Sequence, residues 1–211
     1  MLKTNEREYR SFQMAALELE ENEADKKTVR GYASTFNEPY TLYDDADIEI
    51  KEQVAPNAFD EADMSDVIFQ YNHEGRVFAR NKNGTLRLST DEHGLAIEAD
   101  LGATEIGRQL YEEIEGGYTD KMSFGFRILE DKWEDSTDYE TGKVTSLRTI
   151  VRIGKVYDVS AVSIPANDGT DISVRTLTDG VIERVNAERQ KALELKRART
   201  MTLLRIGGIQ S

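Results

Sequence analysis

The feature that most constrains the fold is a short alternation near the middle of the chain, just after a predicted helix that ends at Gly116-Gly117. Its apolar members are spaced two residues apart: Met122, Phe124, Phe126 and Ile128. Side chains two residues apart share one face of a β-strand, so this spacing predicts a strand with one apolar face. Ser123 lies on the opposite, open face beside Gly125, where another group could approach the hydroxyl. An ordinary strand with a polar face has the same pattern, so Ser123 alone does not identify a site.

Most of the remaining chain also has strand patterns. Alternation or β-rich composition predicts strands over Tyr9–Glu20 (a helix is the open alternative), Thr28–Phe36, Asp66–His73, Thr85–Ser89 and Leu95–Leu101, and two more within Ile150–Ile164, divided at Gly154-Lys155. The polar segment Lys132–Ser146 is predicted to be a mobile loop. Together these strands favour a mostly β body, either a barrel or a strongly curled sheet.

Helices are predicted in two places. After Thr104, a favourable N-cap residue, three apolar residues recur at helical spacing: Ile106, Leu110 and Ile114. A charged helical pattern runs over Asp179–Arg205, with a weak apolar stripe: Val181, Val185, Ala192 and Leu195. A helix this polar is expected to lie over a partner or to be ordered only conditionally. The prediction is therefore an α+β chain, with a β domain over residues 1–178 and a charged helical tail over 179–211.

Composition narrows the possible functions. The 211 residues include no cysteine, which excludes disulfides, thiolate zinc sites and a cysteine nucleophile. No segment approaches the roughly 18 consecutive apolar residues of a membrane helix, and the amino terminus lacks a signal-peptide pattern. The net charge is −13, although the segment from Gly180 onward carries seven basic and three acidic residues. The acidic remainder disfavours nonspecific binding to nucleic acid, and no nucleotide-binding or zinc-protease motif is present.

A serine nucleophile needs a base, and the sequence offers two histidines. His73 ends an apolar strand, where packing can hold an imidazole, whereas His93 lies in a predicted turn between strands. The base in turn needs an acceptor on its other nitrogen. Asp158 interrupts an apolar run, and a buried carboxylate there needs a partner. His73 fits that role, and an arginine such as Arg127 or Arg152 fits it equally well.

Six segments, taken in order, resemble the prohead maturation protease family of tailed bacteriophages, whose fold is related to that of the herpesvirus assembly proteases. They fall within about residues 8–175 and are Arg30–Asn37, Ala55–Phe59, Tyr71–His73, the Gly94-Leu95 hairpin, Lys121–Phe126 and Tyr157–Asn167. The resemblance implies a serine endopeptidase on a herpesvirus-protease-like closed or curled β-barrel ringed by helices, followed by a charged C-terminal helix. No cofactor and no metal ion are expected.

The resemblance also implies roles for individual residues. Ser123 matches the nucleophile and His73 matches the base. The third member is commonly glutamate in this family and is Asp158 here, which shortens its reach by one methylene. The oxyanion donors are expected to be backbone N–H groups, those of Ala166 and Asn167 in the turn that follows Pro165.

The implied substrates are the major capsid protein precursor or scaffold, and the protease itself, inside the immature prohead in the host cytoplasm. An oligomer is possible in this setting, while no specific nucleic acid or membrane is an expected partner. The charged tail is expected to bind scaffold or shell, or to be lost in self-cleavage. Two other classes stay open. One is a non-catalytic scaffold- or capsid-binding module on the same fold, which Asp158 in place of glutamate favours; the other is a carboxylate hydrolase that needs a divalent cation.

Overall fold

The structure is a computed structural model that describes residues 7–13, 18–22, 26–138, 140–163 and 172–207. Its strands are β1 (Glu8–Gln13), β2 (Glu18–Asn22), β3 (Lys26–Thr35), β4 (Tyr40–Asp44), β5 (Ile48–Val54), β6 (Ile68–Tyr71), β7 (Glu74–Arg80), β8 (Leu86–Thr90), β9 (Gly94–Asp100), β10 (Lys121–Thr137) and β11 (Val144–Val162). The α-helices are α1 (Glu105–Glu115) and α2 (Ile172–Gly207), and a 3₁₀ helix spans Asn81–Asn83. The chain is therefore mostly β with helices, which confirms the predicted α+β class.

The described strands form two sheets. The larger sheet has the order β1-β10-β11-β5-β4, and β6 joins it by pairing with a later stretch of β11 and with β7. The smaller sheet has the order β2-β3-β9-β8. A barrel requires every strand to have two neighbours, whereas each of these sheets ends in edge strands. The described residues therefore contain no closed barrel, so the closed form of the predicted β-barrel is not found.

The main apolar core is shared by both sheets and α1. On β10, the predicted apolar face is fully buried at its first three positions: Met122, Phe124 and Phe126. Phe59, from the turn after β5, packs against Phe124 with ring centroids 6.0 Å apart. α1 begins at the predicted cap, because Thr104 Oγ1 accepts a hydrogen bond from the Gly107 backbone N–H at 3.1 Å. The apolar face of β10 and the start of α1 are thus confirmed.

The segment Lys132–Ser146 is not a loop, as its polar composition had indicated. β10 continues to Thr137 and β11 begins at Val144, so most of the segment belongs to one long antiparallel hairpin. Strand pairing satisfies the backbone N–H and C=O groups whatever the side chains are, so a polar sequence can continue the ladder. Composition alone therefore misplaced this segment.

Gly154-Lys155 does not divide β11 into two strands, which is a second correction. The strand is continuous, and its pairing with β10 shifts register between Gly125 and Asp131 instead. A Cβ at Gly154 would lie 2.7 Å from Cγ of Leu129. This glycine therefore makes space for a neighbouring side chain rather than a turn.

α2 packs on the larger sheet through its first half. Val181 and Val185 are buried with apolar residues of β4, β5 and β11: Leu42, Ile48, Ile50 and Val144. Arg184 adds an ion pair with Asp135 of β10. The second half of the predicted stripe is wrong, because Ala192 and Leu195 are exposed. Neither of the helices described here is long and apolar enough to cross a membrane.

Candidate active site

Ser123 lies on β10 between two neighbouring strands. Its Cα partners are Ser11 on β1 and Ser160 on β11. The side chain is fully buried, so the open face predicted for it is wrong. Ser123 Oγ lies 2.6 Å from Nε2 of His73 and 2.9 Å from the backbone carbonyl oxygen of Arg10. The hydroxyl is thus held between an imidazole and a carbonyl group.

His73 lies in a tight turn two residues after β6. That strand ends at Tyr71, which pairs with Ala161 of β11, and Asn72 and His73 then adopt left-handed φ angles of 49° and 60°. Such angles are uncommon for residues other than glycine and are concentrated at functional sites. The Asn72 backbone N–H donates to the Ala161 carbonyl at 2.9 Å, and Asn72 Oδ1 accepts from the Ser163 N–H at 3.2 Å. These bonds tie the turn to β11 and orient the imidazole.

Asp158 lies on β11 opposite Gly125 of β10 and is fully buried. Its Oδ2 contacts Nδ1 of His73 and accepts a hydrogen bond from Ser160 Oγ at 2.9 Å. Its Oδ1 forms an ion pair with Arg7. A Cβ at Gly125 would lie 2.3 Å from Oδ1, so only glycine leaves room for the carboxylate. The space that Gly125 provides on the Ser123 face of β10 is therefore filled by Asp158.

The three side chains form one hydrogen-bonded chain with His73 at its centre. When Asp158 accepts the proton of Nδ1, Nε2 carries none and can accept from the Ser123 hydroxyl. The imidazole is 14% exposed, while the serine and the aspartate are fully buried. Such an arrangement can take a proton from a hydroxyl while the carboxylate stabilises the imidazolium that forms.

His93, the other histidine of the sequence, is not part of this cluster. His93 lies in the exposed turn between β8 and β9, where its ring meets Tyr32 edge-on with centroids 4.5 Å apart. Ala166 and Asn167, the predicted oxyanion donors, lie outside the described residues. Among the residues that the structure describes, no group of three or more acidic or histidine side chains could hold a metal ion.

Two contacts of Asp158 were missed by sequence reasoning. Both His73 and an arginine contact its carboxylate, but the arginine is Arg7 rather than either candidate, Arg127 or Arg152. Ser160 could have been found, because it lies two positions from Asp158 on the same strand and therefore on the same face. Arg7 had no signal, since 151 positions separate it from Asp158 and β1 brings it there.

Comparisons with known proteins point to one family. A family model described as caudovirus prohead serine protease matches residues 15–183. The prohead protease of Escherichia phage T5 is 26% identical over 117 residues, or 56% of this chain, and the chain spans 50% of that relative's length. No solved structure is significantly similar. Because the family model covers most of the chain, including all three members of the hydrogen-bonded cluster, the chain belongs to the caudovirus prohead serine protease family.

Proposed function

We propose that the chain is a serine endopeptidase that cleaves the scaffold segment of the capsid protein, and itself, inside the immature prohead in the host cytoplasm. The observation that carries this proposal is His73, whose Nε2 lies 2.6 Å from Ser123 Oγ while its Nδ1 contacts Asp158. Family membership supports the serine-protease class and the prohead setting. In this proposal residues 1–178 are the catalytic domain, a curled relative of the herpesvirus protease fold, and 179–211 are a charged tail.

The proposed reaction begins with attack of Ser123 Oγ on the scissile carbonyl carbon. The Oγ–C bond forms as the hydroxyl proton passes to Nε2 of His73, and Asp158 stabilises the resulting imidazolium. The C–N bond then breaks, and Nε2 returns the proton to the leaving amine. A water molecule then attacks the acyl carbon while the same nitrogen takes its proton. The Oγ–C bond breaks, and Nε2 returns the proton to Ser123 Oγ. Backbone N–H groups of Ala166 and Asn167 are proposed to stabilise the oxyanion.

Asp158 serves in this mechanism although the family commonly has glutamate at the position. Its shorter side chain still contacts Nδ1 of His73. Three neighbours hold the carboxylate in place: Ser160 donates a hydrogen bond, Arg7 forms an ion pair, and Gly125 leaves the space it needs. We therefore assign to Asp158 the role of the carboxylate that orients His73, and no other acidic residue is needed for it.

A non-catalytic scaffold- or capsid-binding module is the alternative, and one observation favours it. Ser123 has no exposed surface, and an enzyme must present its nucleophile to a substrate. The alternative predicts that the hydroxyl stays unreactive under all conditions. The proposed protease instead requires that Ser123 becomes accessible, which departure of the neighbouring strand β1 would allow.

Labelling and cleavage assays test the proposal. The protein is incubated with the cognate capsid precursor and, separately, with a serine-directed phosphonate. We expect cleavage of the precursor and covalent labelling of one residue, Ser123. Ser123→Ala should abolish both, whereas Ser146→Ala, which removes another buried hydroxyl of the same sheet, should retain both.

Two outcomes would contradict the assignment. Cleavage that survives Ser123→Ala would exclude this residue as the nucleophile. Loss of cleavage in a chelator would favour a carboxylate hydrolase that needs a divalent cation, because the serine mechanism uses no metal.

A further inference from the structure

Residues 7–13, which we call the covering segment, contact two members of the triad through side chains. Arg7 forms an ion pair with Asp158. The ring of Tyr9 lies 4.4 Å from the ring of His73, measured between centroids. Arg7 is itself held by aromatic contact, because its guanidinium lies 5.0 Å from the ring centroid of Tyr9 and 4.9 Å from that of Tyr157. The covering segment therefore meets both the acid and the base.

The third member is covered by backbone. The carbonyl oxygen of Arg10 lies 2.9 Å from Ser123 Oγ. Around this contact, β1 runs antiparallel to β10, from Glu8 opposite Phe126 to Gln13 opposite Lys121. The other edge of β10 pairs with β11, so β1 occupies the one edge of β10 beside Ser123 that another strand could use. Free strand edges bind extended peptides through main-chain hydrogen bonds.

We propose that this edge of β10 is the binding site of the substrate and that the covering segment occupies it in place of the substrate. The substrate is then an extended peptide that pairs antiparallel with residues 121–126, and the covering segment must leave before Ser123 reacts. This inference rests on the proposed protease function and adds to it the binding mode and a built-in inhibitor.

The contact at Ser123 has the form of an inhibited site. The hydroxyl has one proton, for which Nε2 of His73 and the carbonyl oxygen of Arg10 compete. For attack, Nε2 must accept the hydroxyl proton and the substrate's carbonyl carbon must lie next to Oγ. The substrate's carbonyl oxygen must point at the oxyanion donors. Arg10 instead directs its carbonyl oxygen at Oγ. The covering segment therefore blocks the hydroxyl and is not itself positioned for cleavage at this bond.

The covering segment can leave its buried charge cluster without changing the net charge of that cluster. It contributes Glu8 and Arg10, one acid and one base, to a cluster with Glu52 and Arg148. After both leave, Arg148 keeps its contacts with Glu52 at 2.9 Å and with Asp131 at 2.7 Å. Removing only one of Glu8 and Arg10 from this cluster would leave a buried ion uncompensated, which is the costly case. The departure of the covering segment also removes Arg7 from Asp158, which keeps its contacts with His73 and Ser160.

A disulfide across the two strands tests the inference. Gln13 and Lys121 are Cα partners and the chain has no cysteine, so Gln13→Cys/Lys121→Cys can form one new bond. Facing residues of antiparallel strands have Cα atoms about 4.5–5.5 Å apart, a separation that a disulfide spans. The full-length variant is folded and purified reduced and is then oxidised. The rate at which a serine-directed phosphonate labels Ser123 is measured in both states, with Lys121→Cys as the control.

We expect oxidation to slow labelling by at least about tenfold, because the locked strand cannot open. Reductant should restore the rate, and the control should not respond. The reduced double variant is the reference for its own oxidised form, so any effect of the two substitutions alone is common to both states. Equal labelling of the oxidised and reduced forms would overturn the inference and leave the protease function intact. A Ser123 that is unreactive in the unmodified protein as well would remove the serine mechanism itself, and the inference with it.

Discussion

Two polar clusters of the larger sheet both contact β1, but one consists of paired charges and the other contains groups that can exchange a proton. The charge cluster consists of Glu8, Arg10, Glu52 and Arg148, all buried. Burial alone would raise the pKa of Glu52, but the charges of Arg10 and Arg148 outweigh it and lower the pKa to about 2. Burial alone would lower the pKa of Arg10, but Glu52 raises it above its usual range. Glu52 and Arg10 are therefore held in their charged forms.

In the triad, Ser123 and Asp158 are also buried and His73 is partly exposed, and the three hydrogen-bonded groups include two that can exchange a proton. The serine hydroxyl lies between two acceptors, and the imidazole can carry a proton on either nitrogen. Opposite charges that are permanently paired hold strands together, whereas a hydroxyl next to an imidazole can do chemistry. The two clusters thus predict different losses on mutation, in activity for one and in stability for the other.

Removing the triad imidazole should have the largest effect. His73→Ala removes the base, so kcat should fall by about 10⁶-fold, as for the histidine of other such triads. Cleavage of a peptide from the capsid precursor measures the loss. His93→Ala is the matched control, because it removes the other histidine from an exposed turn. Similar losses in both variants would show that the effect is not specific to the triad.

Breaking the charge cluster should instead lower stability. Arg148→Met leaves Glu52 and Asp131 without their shared arginine, and the free energy of unfolding should fall by about 3–5 kcal/mol. Urea denaturation followed by circular dichroism measures it. Arg152→Met on the same strand is the control, since its side chain is 46% exposed and should change stability by less than about 1 kcal/mol. A small effect of Arg148→Met would mean that the cluster does not hold the strands.

The space at Gly125 should matter for activity. In Gly125→Ala the new Cβ would meet Asp158 Oδ1, and displacing the carboxylate by about 1 Å should lower kcat by about 100-fold. Gly154→Ala is the control, because its Cβ would meet Leu129, a side chain that is half exposed and can move. Unchanged kcat in Gly125→Ala would argue against the placement of Asp158.

Ser160 should have a smaller effect as a positioning residue. Its hydroxyl donates to Asp158 Oδ2 at 2.9 Å, and Ser160→Ala, which removes this hydrogen bond to a charged group, should lower kcat by about tenfold. Ser160→Thr keeps the hydroxyl and should restore part of the rate, which a purely structural role would not predict. KM for the precursor peptide should stay unchanged in both variants.

Lowering the pH should have the smallest of these effects, a loss of stability through the charge cluster. The pKa of Glu52 is about 2 in the folded chain against 4.5 for the free side chain. The contribution of this carboxylate to the free energy of unfolding is therefore present above pH 4.5 and is lost as the pH falls towards 2. Between pH 7 and pH 4 this carboxylate should account for a loss of about 1 kcal/mol. Unfolding curves of the unmodified protein and of Glu52→Gln measure it, because the variant lacks this part of the pH dependence.

Local pattern was a reliable guide where the feature depends on neighbours in sequence. Alternation over Met122, Phe124 and Phe126 predicted a face that is fully buried, and helical spacing after Thr104 predicted α1. Polarity was a poor guide over Lys132–Ser146, because a paired strand does not need apolar side chains. Resemblance to a known family singled out Ser123, His73 and Asp158 among many candidates, and the structure brings these three into contact.

The sequence by itself determined the apolar face of β10, the start of α1 and the few residues that can carry out acid–base chemistry. Only the tertiary structure decided that β1 lies on β10, that Arg7 meets Asp158, and that a backbone carbonyl covers Ser123. The physical reason is that periodicity is a local property of the chain, whereas the choice of strand partner depends on contacts between residues more than one hundred positions apart.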